Sequence, residues 1–131
     1  IIDFAGVKGE LGKVVAGGAM MGPAVENLSY PTTKTTSGLI MLSAAAAEPP
    51  QVNPCIRCGR CVEYCPMGLE PVEVNQAYAA RDVQELGKLH VDYCFNCGSC
   101  TFVCPAKRPC TQMMGLAKAF YLGEIKKGGN K

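Results

Sequence analysis

Charged residues are scarce in these 131 residues, 18% against about 25% in an average soluble protein, and aromatic residues reach only 7%. With a formal net charge of +2 and rings few and scattered, the chain lacks the basic, aromatic-studded surface that grips nucleic acid, and no nucleic-acid partner is expected. No basic segment leads into an apolar stretch with a small-residue cleavage site, so nothing marks the chain for secretion. Its cysteines therefore read as those of a reducing compartment. The longest apolar run, Gly38 to Ala47, is about half of what a bilayer crossing takes, and no transmembrane segment is expected. No G-x-G-x-x-G or equivalent nucleotide loop occurs, and Gly17, Gly18 and Gly22 read as turn residues. No Met precedes Ile1, as in a piece of something longer.

What the chain has in excess is Gly 15, Pro 9 and Cys 9. The first two make much of it loop. The odd cysteine count argues against a closed set of disulfides. Composition changes at Glu48-Pro49-Pro50, where an alanine run meets two prolines. Upstream, Lys13 to Ala16 and Ser37 to Leu42 are short apolar segments beside turn residues and predict strands. Residues 1–48 thus read as the end of a β-containing unit. Downstream, Pro71 suits a first helical turn, and Val74, Ala77, Tyr78 and Arg81 follow a helical period, with Arg81 snorkelling at the edge. Asp82 to Leu86 predicts a second short helix ended by Gly87. A last helix is expected from about Pro109 to Leu122, with Met113, Leu116, Ala117 and Phe120 as its packing face and Gly123 as its stop. Residues 124–131 are expected to be a flexible tail.

The chemistry lies in a repeat. PCIRCGRCVEYCP (Pro54 to Pro66) and YCFNCGSCTFVCP (Tyr93 to Pro105) share one pattern at an offset of 39: Cys, two residues, Cys, two residues, Cys, three residues, Cys, Pro. Thiolates two residues apart can turn around one face of an iron–sulfur cube while backbone amides point at its sulfides. Gly59 and Gly98, each between the second and third cysteine, permit the positive φ such a turn often needs. In two-cluster ferredoxins the fourth cysteine of each run ligates the other cluster. By that rule cluster I takes Cys55, Cys58, Cys61 and Cys104, and cluster II takes Cys94, Cys97, Cys100 and Cys65. No catalytic side chain is expected, because the mechanism is electron hopping between two 4Fe-4S centres. Two structural zinc sites of four cysteines each are the alternative from a different class. Zinc ribbons, however, usually pair two CxxC elements across a longer spacer.

Cys110, the ninth cysteine, reads as a small buried hydrophobe at the start of the last helix. His90 reads as a loop or surface residue. Arg57 and Arg60 in the first run stand where Asn96 and Ser99 stand in the second, and Lys107 and Arg108 follow Cys104. Cations there favour an extra electron, so cluster I is expected to have the higher potential. The same four residues could dock an acidic redox partner.

At this point the sequence resembles the C-terminal part of the C subunit of the Rnf electron-transport complex. GGAMMGPAV (Gly17 to Val25), TKTTSGLIML (Thr33 to Leu42), PCIRCGRCVEYCPMGLEP and the later CPAKRP occur here in that family's order. Cys110 and Ala19 depart from the family's pattern, where an aliphatic residue and Pro are expected. The resemblance implies an α+β chain. The end of a soluble-ligand-binding β-grasp segment (1–48) would precede a mainly α-helical ferredoxin-type domain (49–123) holding two 4Fe-4S clusters. It further implies a peripheral subunit on the cytoplasmic face of the cell membrane, working with other subunits of a ferredoxin:NAD oxidoreductase that moves Na+ or H+. FMN and NADH would bind only upstream of these residues. A cobalamin reductase of microcompartments, and an iron–sulfur subunit of a soluble dehydrogenase or heterodisulfide reductase, are further readings of the same clusters.

Overall fold

β-Branched and aliphatic residues at Leu11–Ala16 (β1) and Leu39–Ser43 (β2) pair as an antiparallel two-stranded sheet, with Val14 opposite Met41 and Val15 opposite Ile40. The computed structural model describes Ile2 and residues 4–128, and the chain divides into two compact units, Ile1–Pro50 and Gln51–Lys131. In the first, the register slips between Leu11 and Lys13. The slip falls at Gly12, where an added Cβ would lie 2.6 Å from the Ala44 Cα. Val15 also bridges Ala24, and Gly17, at φ 102°, opens the turn that leads there. Ser43 caps the four alanines of α1 (Ala44–Ala47) through a hydrogen bond from the Ala46 amide.

The second unit is helical. α2 (Arg60–Glu63), α3 (Pro71–Ala79), α4 (Val83–Lys88), a 3-10 turn at Val91–Tyr93, α5 (Ser99–Phe102) and α6 (Cys110–Gly128) follow in order. Pro71 occupies the first turn of α3, and Val74 and Ala77 are buried, as the helical period predicts. Arg81, at φ 57°, ends that segment in the left-handed region. Its guanidinium lies 4.8 Å from the centre of the Tyr78 ring and 4.9 Å from that of Phe120, covering both. Asp82 then starts α4, accepting a hydrogen bond from the Glu85 amide at 2.9 Å. The core comprises Leu69, Val74, Ala77, Leu86, Val91, Met114 and Ala117.

Three expectations need correction. Gly87 lies inside α4 instead of ending it, and its role is close approach: a Cβ there would sit 3.0 Å from the Tyr121 hydroxyl. The left-handed residue that redirects the chain is His90, at φ 50°. The buried stripe of α6 is Cys110, Met114 and Ala117, whereas Leu116 is exposed. α6 also runs past Gly123 to Gly128, where Lys126 and Lys127 meet the carbonyl end of the dipole. Residues 124–128 are therefore helix and not tail, and 129–131 lie outside the described residues.

Candidate metal centre

The 39-residue offset is repeated in the backbone. Arg57 and Asn96, Gly59 and Gly98, and Gly68 and Lys107 are three pairs at that offset, and all six have positive φ. The short helices α2 and α5 correspond, each opened by its left-handed glycine. Their hydrogen bonds correspond too: Cys65 N to Val62 O and Cys104 N to Thr101 O, then Gly68 N to Cys65 O and Lys107 N to Cys104 O. The correspondence extends to the helices that follow, for α3 starts at Pro71 and α6 at Cys110.

Two cavities result. The thiols of Cys55, Cys58 and Cys61 from the first run line one of about 300 Å³ together with Cys104 from the second. Cys94, Cys97 and Cys100 line a smaller one together with Cys65. We call these sites I and II. Each is thus walled by three cysteines of one run and the fourth cysteine of the other, and Cys110 also lines the first. All nine cysteines are free thiols. Among the described residues, no three Cys, His, Asp or Glu side chains come close enough together to hold a single metal ion. The thiols are spread around their cavities instead.

Backbone amides already face sulfur: Arg57 N donates to Cys55 Sγ at 3.4 Å and Leu69 N to Cys65 Sγ at 3.3 Å. Burial pushes the Cys61 and Cys100 thiols above the ordinary value. It is opposed at Cys61 by a backbone hydrogen bond and at Cys100 by the Thr111 hydroxyl. Cys110 is pushed furthest, to about 12, by burial first and the neighbouring thiols second. At least four thiols per cavity, with amides aimed at sulfur and glycine-permitted turns, fit an iron–sulfur cluster.

The walls differ in charge. Arg57, Arg60 and Arg108 line site I, and their counterparts Asn96, Ser99 and Leu69 line site II. Lys107, the fourth cation of the expected patch, does not line the cavity. With the Gln76 amide oriented to accept from Arg57 Nη2 (3.0 Å), its nitrogen donates to Glu73 Oε2 (3.2 Å), which ties Arg57 to α3. On the second run, Lys118 Nζ donates to the Cys94 carbonyl at 2.7 Å. Thr111 N donates to Thr101 Oγ1 at 2.8 Å and fastens α5 to α6. His90 is exposed and stacks on Tyr93.

Sequence reasoning passed over Asn75, whose buried Oδ1 has no partner at the wall of site I, and Pro71 and Met114 at the wall of site II. The signal was available. Extending the 39-residue alignment beyond each Cys-Pro pairs Pro71 with Cys110 and Asn75 with Met114.

Residues 54–107 match the family of 4Fe-4S dicluster domains. The chain is also similar to the C subunit of an ion-translocating oxidoreductase complex from Rhodobacter capsulatus. The two are 40% identical over 89 residues, which is 68% of this chain and 17% of the relative. The segment is thus similar to one part of the C subunits of ion-translocating oxidoreductase complexes. Two further C subunits extend the likeness. The C subunit of a proton-translocating ferredoxin:NAD(+) oxidoreductase complex from Clostridium ljungdahlii is 45% identical over 71 residues, 53% of this chain and 16% of that one. Its Na(+)-translocating counterpart from Acetobacterium woodii is 37% identical over 84 residues, 63% of this chain and 19% of that one. The matches to these three relatives thus span less than a fifth of their length. Among the described residues no helix is long and apolar enough to cross a membrane.

Proposed function

We propose that residues 51–128 carry electrons between two 4Fe-4S clusters. One is held at site I by Cys55, Cys58, Cys61 and Cys104, the other at site II by Cys94, Cys97, Cys100 and Cys65. The observation that carries this reading is the wall of each cavity, three thiols from one run and the fourth from the other. A thiol set spread around a cavity suits a cube that meets each thiolate at a separate iron, and suits a single tetrahedral zinc ion poorly. Such a cluster supplies a one-electron carrier. The chain's part is to hold it by four thiolates, to donate amide hydrogen bonds to sulfur, and to set the surrounding charge.

In the parent protein this segment serves a ferredoxin:NAD oxidoreductase coupled to ion movement, as a peripheral subunit on the cytoplasmic face docked to the other subunits. The first unit is the end of a β-grasp domain, and FMN and NADH bind upstream of it. Support for this comes from the relatives in Clostridium ljungdahlii and Acetobacterium woodii, both components of ferredoxin:NAD(+) oxidoreductases, and from the order of motifs along the chain. Arg57, Arg60, Lys107 and Arg108 form the docking patch for an acidic redox partner. None of the four is among the ion pairs found in the described residues, Lys88 with Glu85 and Lys127 with Glu124.

Anaerobic purification followed by iron and acid-labile sulfide analysis tests the central claim. The expected result is about eight irons and eight sulfides per chain, a broad absorbance near ~400 nm and two interacting EPR signals after dithionite reduction. Colourless protein carrying two zinc ions would overturn it.

A further inference from the structure

Site I has one thiol more than it needs. Five cysteines line its cavity, the fifth being Cys110, while four line site II. The excess arises from one position of the repeat, because Cys110 corresponds to Pro71, and each residue lines its own cavity at the first position of the following helix. Proline offers no donor to a metal, whereas Cys110 offers a thiol in a matching place.

We propose that Cys110 is a reserve ligand of site I, able to take over the iron held by Cys104. The proposal rests on the two-cluster reading above. Three features support it. Cys110 is only 5% exposed, so its sulfur is directed inward. It lines the same cavity as Cys55, Cys58, Cys61 and Cys104. The backbone between Cys104 and Cys110 is a compact turn, with Lys107 N bonded to Cys104 O at 3.1 Å and Cys110 N to Arg108 O at 2.8 Å. Cys104 and Cys110 therefore reach the wall of one cavity from the same short segment. In the exchange one Fe–S bond to Cys104 breaks and one to Cys110 forms. The proton of the Cys110 thiol passes to the departing Cys104 thiolate, and no electron is gained or lost. Where Cys104 is removed by mutation, that proton goes to solvent.

Iron and sulfide content and the EPR of the reduced protein, measured on anaerobically purified chains, test this without reference to activity. The wild-type chain comes first: zinc or no iron there ends the two-cluster reading, separately from the proposal. Given about eight irons in the wild type, Cys104→Ala is expected to keep both clusters with an altered site I signal. Cys104→Ala/Cys110→Ala is expected to lose site I and fall about twofold in iron. Cys110→Ala alone should match the wild type, since Cys104 is present. Site II supplies the control. Cys65→Ala should lose its cluster, because Pro71 cannot replace the thiol, and Cys65→Ala/Pro71→Cys should recover it. The proposal is overturned if Cys104→Ala loses as much iron as the double variant. A Cys104→Ala chain that cannot be recovered folded while Cys110→Ala folds normally also overturns it, because takeover would have left the site filled.

Discussion

Single residues of this chain act on the cavity that their own run does not build. Cys65 belongs to the first run but lines site II, and its sulfur accepts from the Leu69 amide at 3.3 Å. Cys65→Ser is therefore expected to alter the EPR signal of the centre held by Cys94, Cys97 and Cys100, the other centre changing only through its magnetic coupling to that one. A change confined to the centre held by Cys55, Cys58 and Cys61 would refute the crossed assignment. Charge is the second lever at this scale. Three guanidinium groups line site I, and Lys118 reaches only the Cys94 carbonyl on the other side. A cation close to a cluster favours the reduced form, so Arg57→Asn with Arg60→Ser, which copies the second run into the first, should make the site I potential more negative. Redox titration followed by EPR checks this, and unchanged potentials would remove charge as the cause of any difference between the sites. Ligation has a pH consequence of known sign. Iron binds thiolate, so each ligand thiol must release its proton on loading, and cluster assembly should weaken as pH falls.

At the scale of elements, the helices of the second unit share a small core in which α4 contributes Leu86, with no exposed surface. Leu86→Ala should cost about 2–5 kcal/mol, because the backbone around a fully enclosed side chain relaxes only partly. Thermal melting of the cluster-loaded chain, followed by absorbance, measures it, and a loss below about 1 kcal/mol would mean that the clusters and not the core hold α4 in place. How far the elements could be read from sequence depended on what dictates each one. The 39-residue repeat and the positive φ of Gly59 and Gly98 were legible because cluster chemistry demands such turns, whereas the short helices α2 and α5 that open at those glycines were not among the expected elements. α3 was legible because Pro71, Val74 and Ala77 obey both local propensity and burial. α6 was half-legible: its start was within a residue of expectation, but Met113 and Met114 are chemically alike, and only its partners in the core decide which one is buried. Gly123 looks like a stop by composition, yet nothing forces a left-handed turn there. Among the other wall residues of site I, Arg108 was legible from its place after Cys104, whereas Asn75 emerges only when the 39-residue alignment is carried past each Cys-Pro.

Over the whole molecule the two proposed clusters would change both charge and cohesion. A formal net charge of +2 becomes roughly −2 in the loaded chain, since each oxidised cube with four thiolates carries about −2. Site I would then be a negative centre walled by arginines, a layout that keeps the basic patch usable for docking an acidic partner even in an anionic protein. Cohesion follows from the same count. The buried core of the second unit is seven residues, two of them alanines, which is little for a segment of this length. Cys65 and Cys104 each line the cavity built by the other run, so each proposed cluster would tie the residues before α3 to those before α6. Metal binding then supplies free energy that the core does not, and metal-free residues 51–128 should be largely unfolded. Circular dichroism before and after iron removal by chelator under reducing conditions measures this directly. The expected outcome is loss of most of the helical signal on removal and its return on anaerobic reconstitution with iron and sulfide. Retention of α3, α4 and α6 without metal would show that the small core suffices, and would recast the clusters as passengers in a fold that stands without them.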